Sequence, residues 1–416
     1  MSDSPVKAYT YHDGELRQPI IKAINFAGRI LTRVGKAWPA LNADDIVAAA
    51  CKQAGSTELG EDSYREPLER YLRAVETDGQ LSLFGRQATK STLTDALTNR
   101  IRLAQWHKDN PEARKEVIER PWIIVGLPRT GTSLLSILLG LDPMNRALTH
   151  WEGASPIPPP ELATAAEDPR ISSTARQIDQ LHKLVPALQA MHPFGATMAQ
   201  ECVALLMYDL RTIGLETQAH VPEYGKWLAS CDMSSAYRQH RMALQALQSA
   251  QPTQHWVLKT PNHLWHLPAL LKFYPDARII WTHRDPLDVV PSTVSLINTL
   301  RRVFSERSDP LPTANEWREK LFDGLEKGMQ FDQSQEDGWC YHLQYTEFTE
   351  NPEAALKKLY AHFDCDMSDL HARRVRRWMQ TRHQSTFGRH KYAIGDFGWS
   401  EADLSEQFSD YRARYL

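Results

Sequence analysis

The stretch Pro121 to Leu141, PWIIVGLPRTGTSLLSILLGL, decides the fold. Trp122, Ile123, Ile124 and Val125 form a short apolar, partly β-branched run, the pattern of a strand buried on both faces in a parallel sheet. Gly126 ends the run. Gly126-Leu-Pro-Arg-Thr-Gly131-Thr132-Ser133 then predicts a tight turn, and Ser133 to Leu139 is apolar nearly throughout, as in a helix packed on a sheet. A strand, a glycine turn and a helix in succession aim several backbone N–H groups and a helix N-terminus at one spot. Such a spot suits a phosphate or sulfate group.

The spacing Gly126-x-x-x-x-Gly131 is that of a nucleotide-binding P-loop, but Thr132 stands where the lysine of G-K-[ST] is required. The cation that would bridge β- and γ-phosphates is missing, and with it the usual reason to propose ATP hydrolysis. Arg129 lies inside the turn instead, and its planar fork can grip a 5′-phosphate or a transferring anionic group. A plain βα turn with an exposed arginine is the alternative at this stage.

With 416 residues and 42% hydrophobic content, the chain can bury one large core, or a core and a smaller cap. A net charge of −3 argues against a protein that coats nucleic acid. Five scattered cysteines without a C-x-x-C pair fit reduced thiols in a cytoplasmic protein. No apolar run reaches the roughly 18 residues that a membrane span needs. A homo-oligomer stays open.

Residues 15–120 predict helices over Ile20 to Val34, Ala43 to Ala54 behind the cap Asn42, Tyr64 to Val75, and Leu93 to Trp106. The expected organisation is an N-terminal helical lobe over 1–118 and an α/β domain over 119–416. That domain is read as a P-loop-like, three-layer fold with a central parallel sheet, carrying a helical cap insertion at about 160–252. After Asn145 to Trp151 come Glu152 and the stiff run Pro156-Ile-Pro-Pro-Pro160, which suits neither helix nor central strand. Helices are expected over Thr174 to Leu188 and Gln200 to Ile213, followed by an aromatic-rich bend from His220 to Trp227, and the insertion over 161–250 as a whole is the candidate lid and acceptor pocket. Further strands are expected at His255 to Leu258, Ala277 to Thr282 and Trp339 to Tyr345, and a helix over Glu353 to Phe363. Lys259 and Arg284 follow strand ends, where open α/β sheets hold their ligands. Ser292 lies eight residues beyond Arg284, on the helix expected to begin near Asp288. The basic run Arg373, Arg374, Arg376 and Arg377 reads as a solvated helix face, and Gly388-Arg-His-Lys391 as the better anion candidate.

Together, GLPRTGTS, the Trp151-Glu152 pair with its proline run, VLKTPNH, the strand ending in THRDP with a serine eight further on, and GRHKYAIGDFGWS resemble the bacterial sulfotransferases that use 3′-phosphoadenosine-5′-phosphosulfate (PAPS). The resemblance runs from about residue 60 to the C-terminus. It implies that Arg129, Thr130, Gly131, Thr132 and Ser133 bind the 5′-phosphosulfate and that Arg284 and Ser292 hold the 3′-phosphate. It extends less firmly to Arg389 and Lys391, because the family's R-K-G order is absent. No metal is required in this reading.

Sulfuryl transfer to a hydroxyl needs a base for the acceptor and cations for the charge on the departing phosphate. Lys259 is similar to the lysine that stabilises the bridging oxygen in relatives. Glu152 follows Arg129 by 23 residues, a placement similar to the catalytic glutamate of tyrosylprotein sulfotransferases, and is the expected base. Many cytosolic sulfotransferases use histidine, so His150 and His263 are rivals. The other reading of Glu152 is a carboxylate that pins the turn by accepting backbone hydrogen bonds. A P-loop-type nucleotide or small-molecule kinase is the alternative function, disfavoured by the missing lysine and by the lack of a strand ending in a Mg²⁺-binding aspartate. The acceptor is a small-molecule alcohol, phenol, sugar or lipid head group.

Overall fold

The computed structural model describes residues 8–10, 19–33, 38–192, 194–305, 309–381 and 389–416. A two-residue strand, β1 (Ala8–Tyr9), opens the described chain. The central sheet follows: β2 (Trp122–Val125), β3 (Asn145–Ala147), β4 (His255–Lys259), β5 (Arg278–His283) and β6 (Cys340–Gln344). Their spatial order is β3-β4-β2-β5-β6 and every pairing is parallel. β2 therefore lies between strands reached in opposite directions, and the turn after it stands at the topological switch of the sheet.

Side chains along β2 alternate between two apolar clusters. Ile123 and Val125 join the larger one, with Leu258, Ile279 and Trp281. Trp122 and Ile124 join the other, with Val257, Ile280 and Leu343. This is the period of two that a strand buried on both faces requires. One face is covered by Leu135, Leu138 and Leu139 of the helix Thr132–Leu139 and by Leu356 and Leu359 of Pro352–His362. The other is covered by Val289, Val290 and Val294 of Pro286–Phe304 and by Leu321 and Leu325 of Pro310–Gln333. The result is the expected three-layer α/β architecture.

N-terminal helices form at Pro19–Arg33, Ala43–Ala54, Arg65–Asp78 and Leu83–Asp109. Asn42 caps the second as the sequence indicates, its Oδ1 accepting from the N–H groups of Asp44 and Asp45 at 2.8 and 3.1 Å. Leu68, Leu72 and Val75 are buried on one face. They belong to the same apolar cluster as the sheet, so this lobe shares the central core.

Three local expectations need correction, and one short strand was not foreseen. Residues 174–188 do not form one helix: Pro169–Leu184 stops, Val185 turns to ψ 77°, and Ala187–Met191 restarts. Pro186 explains the break, since its ring disfavours helical geometry in the residue before it. The helix expected over 200–213 is also broken, into Val203–Leu206, a 3₁₀ turn Met207–Asp209, and Ile213–Glu216. The Gln200 N–H goes to the Leu148 carbonyl at 2.7 Å and the Cys202 N–H to the Lys259 carbonyl at 2.8 Å. These bonds stitch the start of the segment to the sheet, and Leu210, at φ 55°, interrupts its end. The edge strand β3 is too short to show in the sequence. Finally, the aromatic bend at 220–227 is mostly helix, Pro222–Leu228. Its Tyr224 is core, edge-on to Tyr71 with ring centroids 5.4 Å apart.

Candidate active site

The turn after β2 is built by close backbone contacts. Gly126 has φ 133°, and a Cβ there would lie 2.6 Å from Thr282 Oγ1 and 2.8 Å from its carbonyl oxygen, so only glycine fits. Thr130 closes the turn internally, its Oγ1 donating to the Leu127 carbonyl at 2.7 Å and lying 2.7 Å from Thr282 Oγ1. Gly131, at φ 87°, leads into the helix Thr132–Leu139, whose N-terminus no side chain caps. Arg129 has φ 68°, a left-handed conformation unusual for a side chain with a Cβ. Strain of this kind collects where function positions a group.

Arg129 turns inward. Its Nε donates to Ser292 Oγ at 3.1 Å and its Nη1 to the Met191 carbonyl at 2.6 Å. Arg284 reaches the same turn, Nη1 donating to the Arg129 carbonyl at 3.0 Å, while its guanidinium stacks on Tyr345 at 4.4 Å. The Arg284 Nε is buried without a hydrogen-bond partner. Burial, and to a lesser extent the nearby Arg284 charge, lower the pKa of Arg129 from its usual value. Ser292 is 1% exposed on the helix Pro286–Phe304. Arg129 therefore meets Arg284 and Ser292, which lie far from it in sequence, at one loop.

Lys259 arrives from the other side. The register pairs it with Ile124, which puts the end of β4 beside the turn. Its Nζ donates to Ser133 Oγ at 3.1 Å and to Glu201 Oε1 at 2.8 Å. Glu201 was not singled out from the sequence. Burial acts to raise its carboxyl pKa, but Lys259 and then His192 outweigh it, leaving the pKa below the ordinary value. His192 is held neutral at about 4, chiefly by burial, with opposing contributions from Glu201 on one side and Lys259, Arg129 and His150 on the other. The cluster gathers the cationic side chains of Arg129, Arg284 and Lys259 around the turn 126–133.

The residues first expected as bases stand elsewhere in the hydrogen-bond network. Glu152, on the short helix His150–Ala154, accepts from Arg146 Nη2 at 2.5 Å on one oxygen, and from the Thr149 N–H at 3.0 Å and hydroxyl at 2.7 Å on the other. That is the geometry of a carboxylate that caps its own helix. His150 Nδ1 lies 2.9 Å from Gln200 Nε2, its ring stacks on Phe194 at 5.6 Å, and burial lowers its pKa to about 4. His263 is fully buried, its Nδ1 3.0 Å from the Tyr237 hydroxyl.

At the C-terminal element, β7 (Arg389–His390) pairs in parallel with β1. Lys391 is exposed, and its N–H donates to the Tyr9 carbonyl at 2.7 Å. Gly388 and the side chain of Arg389 lie outside the described residues. Burial, and then the Arg129 charge, lower the His390 pKa to about 3. His390 Nε2 also lies 2.7 Å from Ser295 Oγ. The sequence did offer a signal for Tyr345, which directly follows β6 at the ligand-bearing edge of the sheet. It offered none for Glu201 or His192, whose positions depend on the irregular path of 185–202.

Comparison with known proteins agrees with this fold. The family model described as "Sulfotransferase family" matches residues 121–369. The crystal structure of sulfotransferase STF9 from Mycobacterium avium is 29% identical and superposes with a TM-score of 0.84 over 91% of this chain and 97% of that one. Sulfotransferase STF1 from Mycobacterium tuberculosis H37Rv, also 29% identical, gives 0.79 over 89% and 98%. The omega-hydroxy-beta-dihydromenaquinone-9 sulfotransferase Stf3 of Mycobacterium bovis is 26% identical over 283 residues, 64% of this chain and 68% of that protein. No helix among the described residues is long and apolar enough to cross a membrane. The kinase alternative is thereby set aside: the chain belongs to the sulfotransferase family and is an enzyme that transfers sulfuryl groups.

Proposed function

We propose that the sulfuryl donor is PAPS and that the acceptor is a hydroxyl on a small, largely apolar molecule. The observation that carries this reading is the convergence of Arg129, Arg284, Ser292 and Lys259 on an uncapped helix N-terminus, with the Arg284 Nε buried and unpartnered. A buried donor left unmatched is costly, and an anionic ligand would relieve it. The donor supplies an activated sulfuryl group on a phosphate leaving group. The residues fit it: the turn 126–133 for the 5′-phosphosulfate, Arg284 and Ser292 for the 3′-phosphate, with Arg389 and Lys391 as further candidates there.

In this reading Lys259 stabilises the negative charge that develops on the departing phosphate oxygen, and Ser133 helps to aim its ammonium. Glu201, held on Lys259, accepts the acceptor hydroxyl's proton. Its lowered pKa keeps it ionised, and in this reading it takes over the role first expected of Glu152. His192, neutral and beside it, is the rival base. His150 and His263 are engaged elsewhere, as described. The transfer needs no Mg²⁺.

The acceptor class follows from two supports. The Mycobacterium bovis relative is named for a hydroxylated menaquinone derivative. In this chain Phe194 packs against His150, His182 and His192, with ring centroids 5.6, 4.9 and 6.2 Å apart, an aromatic group next to the rival base His192. An apolar alcohol or a phenol is therefore preferred to a sugar. The five cysteines are all unpaired, which suits the cytoplasm.

Transfer of labelled sulfate from PAPS to a panel of phenols, quinols and long-chain alcohols, run beside transfer of labelled phosphate from ATP with Mg²⁺, tests this directly. Sulfate transfer without added Mg²⁺ is expected. Failure with PAPS across the panel, or a strict Mg²⁺ requirement, overturns the proposal.

A further inference from the structure

Behind Glu201 and Lys259 is a cluster that the transfer reaction does not use. Cys202, His240 and His263 are all fully buried, and one ring nitrogen of each histidine and the Cys202 sulfur lie within 4.8 Å of one another. Each histidine is oriented by a tyrosine: His240 Nδ1 is 2.7 Å from the Tyr274 hydroxyl, and His263 Nδ1 is 3.0 Å from the Tyr237 hydroxyl. The opposite nitrogens, Nε2 of both rings, are buried and have no hydrogen-bond partner. Buried polar atoms in folded proteins nearly always find one.

We propose that Cys202, His240 and His263 bind a zinc-class divalent cation through Sγ and the two Nε2 atoms. Imidazole nitrogen and thiolate sulfur are the donors that such ions select, and a second group on the far nitrogen of each ligating histidine is the usual means of fixing its ring. Metal–ligand lengths of about 2.0–2.3 Å require these side chains to draw together by about 1 Å. Three protein ligands leave the fourth tetrahedral position to a water.

Burial pushes the Cys202 thiol up to about 12, so the thiol stays protonated unless a cation displaces the proton. Burial also keeps His240 neutral, at about 3, and holds His263 well below its usual range, the state in which imidazole ligates. The ligands come from three segments. Cys202 precedes the helix Val203–Leu206, His240 is on the helix Ser234–Ala250, and His263 is in the 3₁₀ turn Pro261–His266 that follows β4. The ion would thus tie the segment bearing Glu201 to the strand end bearing Lys259, across the same junction as the Cys202 N–H to Lys259 carbonyl bond. Its role is structural, the site is filled on folding, and the sulfuryl transfer itself does not pass through it.

The test is elemental analysis of the full-length protein purified without chelator or metal-affinity resin, followed by reconstitution with Co²⁺ after unfolding in chelator. About one equivalent of zinc per chain is expected, with a thiolate-to-cobalt charge-transfer band in the reconstituted protein. Cys202→Ser should lose both, and Cys365→Ser neither. Should Cys202→Ser fail to fold, the wild-type measurements decide alone: trace zinc and no thiolate band overturn the proposal. A band that survives in Cys202→Ser but vanishes in Cys340→Ser overturns it as well, since Cys340 belongs to a separate cluster with Asp332 and His342.

Discussion

Glu152 is buried and Glu201 largely so, both are paired with a cation at 2.5 and 2.8 Å, and both lie within the family's matched region. What separates them is the partner. Arg146, which holds Glu152, is itself tied to the Leu247 and Gln251 carbonyls and stacked on Trp256 at 4.6 Å, so that pair closes a structural corner. Lys259, which holds Glu201, has its other contact on Ser133, at the start of the helix that crowns the anion loop. A buried, ion-paired carboxylate is thus no sign of catalysis by itself. Its partner's second contact is more informative.

The sharpest way to break this comparison is to neutralise each carboxylate with little change of shape. General-base catalysis contributes about 10²- to 10⁴-fold, so Glu201→Gln should lower kcat by that order, whereas Glu152→Gln should stay within a few fold. If Glu152→Gln carries the large loss and Glu201→Gln does not, the assignments exchange. If both are mild while a His192 variant is inactive, histidine is the base.

Stability should sort the pair differently. Glu152→Gln removes the charge that Arg146 neutralises and weakens the cap on the Thr149 N–H, at a cost of about 1–3 kcal/mol. Thermal denaturation should show a lowered midpoint with folded-state activity retained. An unchanged midpoint would mean that the corner does not depend on the ion pair.

Acid provides the smallest and most diffuse test. Burial holds His150 and His192 at about 4 and His390 at about 3 in the folded chain, against 6.5 for an unperturbed side chain. The unfolded chain therefore binds more protons across that interval, and stability should fall as pH drops from about 6.5 toward 4. His192 lies on the Glu201 side of the comparison and His150 opens the helix that carries Glu152, so both sides should respond. Midpoints that stay level or rise on acidification would contradict these environments.

The sequence made half of this site legible. Gly126, Arg129, Gly131 and Ser133 are set by local turn chemistry, and a short buried strand next to an apolar helix has few other readings. Ser292 required the resemblance, since a serine inside a helix carries no mark of its own. Glu201 and His192 were invisible because nothing local fixes them. Their places depend on the Pro186 break, on the bond from the Gln200 N–H to the Leu148 carbonyl, and on the bond from the Cys202 N–H to the Lys259 carbonyl, all between segments distant from a motif. Glu152 is the opposite case. Its capping geometry is local, and at the sequence level a cap next to a tryptophan and a proline run resembles a positioned catalytic group.

The central claim is that the loop of Arg129 and the Arg284–Ser292 pair form a site for a 3′-phosphorylated adenine nucleotide, and it can be tested without knowing the acceptor. Isothermal titration of the wild type with adenosine 3′,5′-bisphosphate, in EDTA, should show much tighter binding than adenosine 5′-phosphate or ADP. Arg284→Ala should lose most of that preference, a weakening of about 1.5–3 kcal/mol for one charge-assisted contact. Equal affinity for ADP, a requirement for Mg²⁺, or an Arg284→Ala protein that discriminates as well as the wild type would contradict the account.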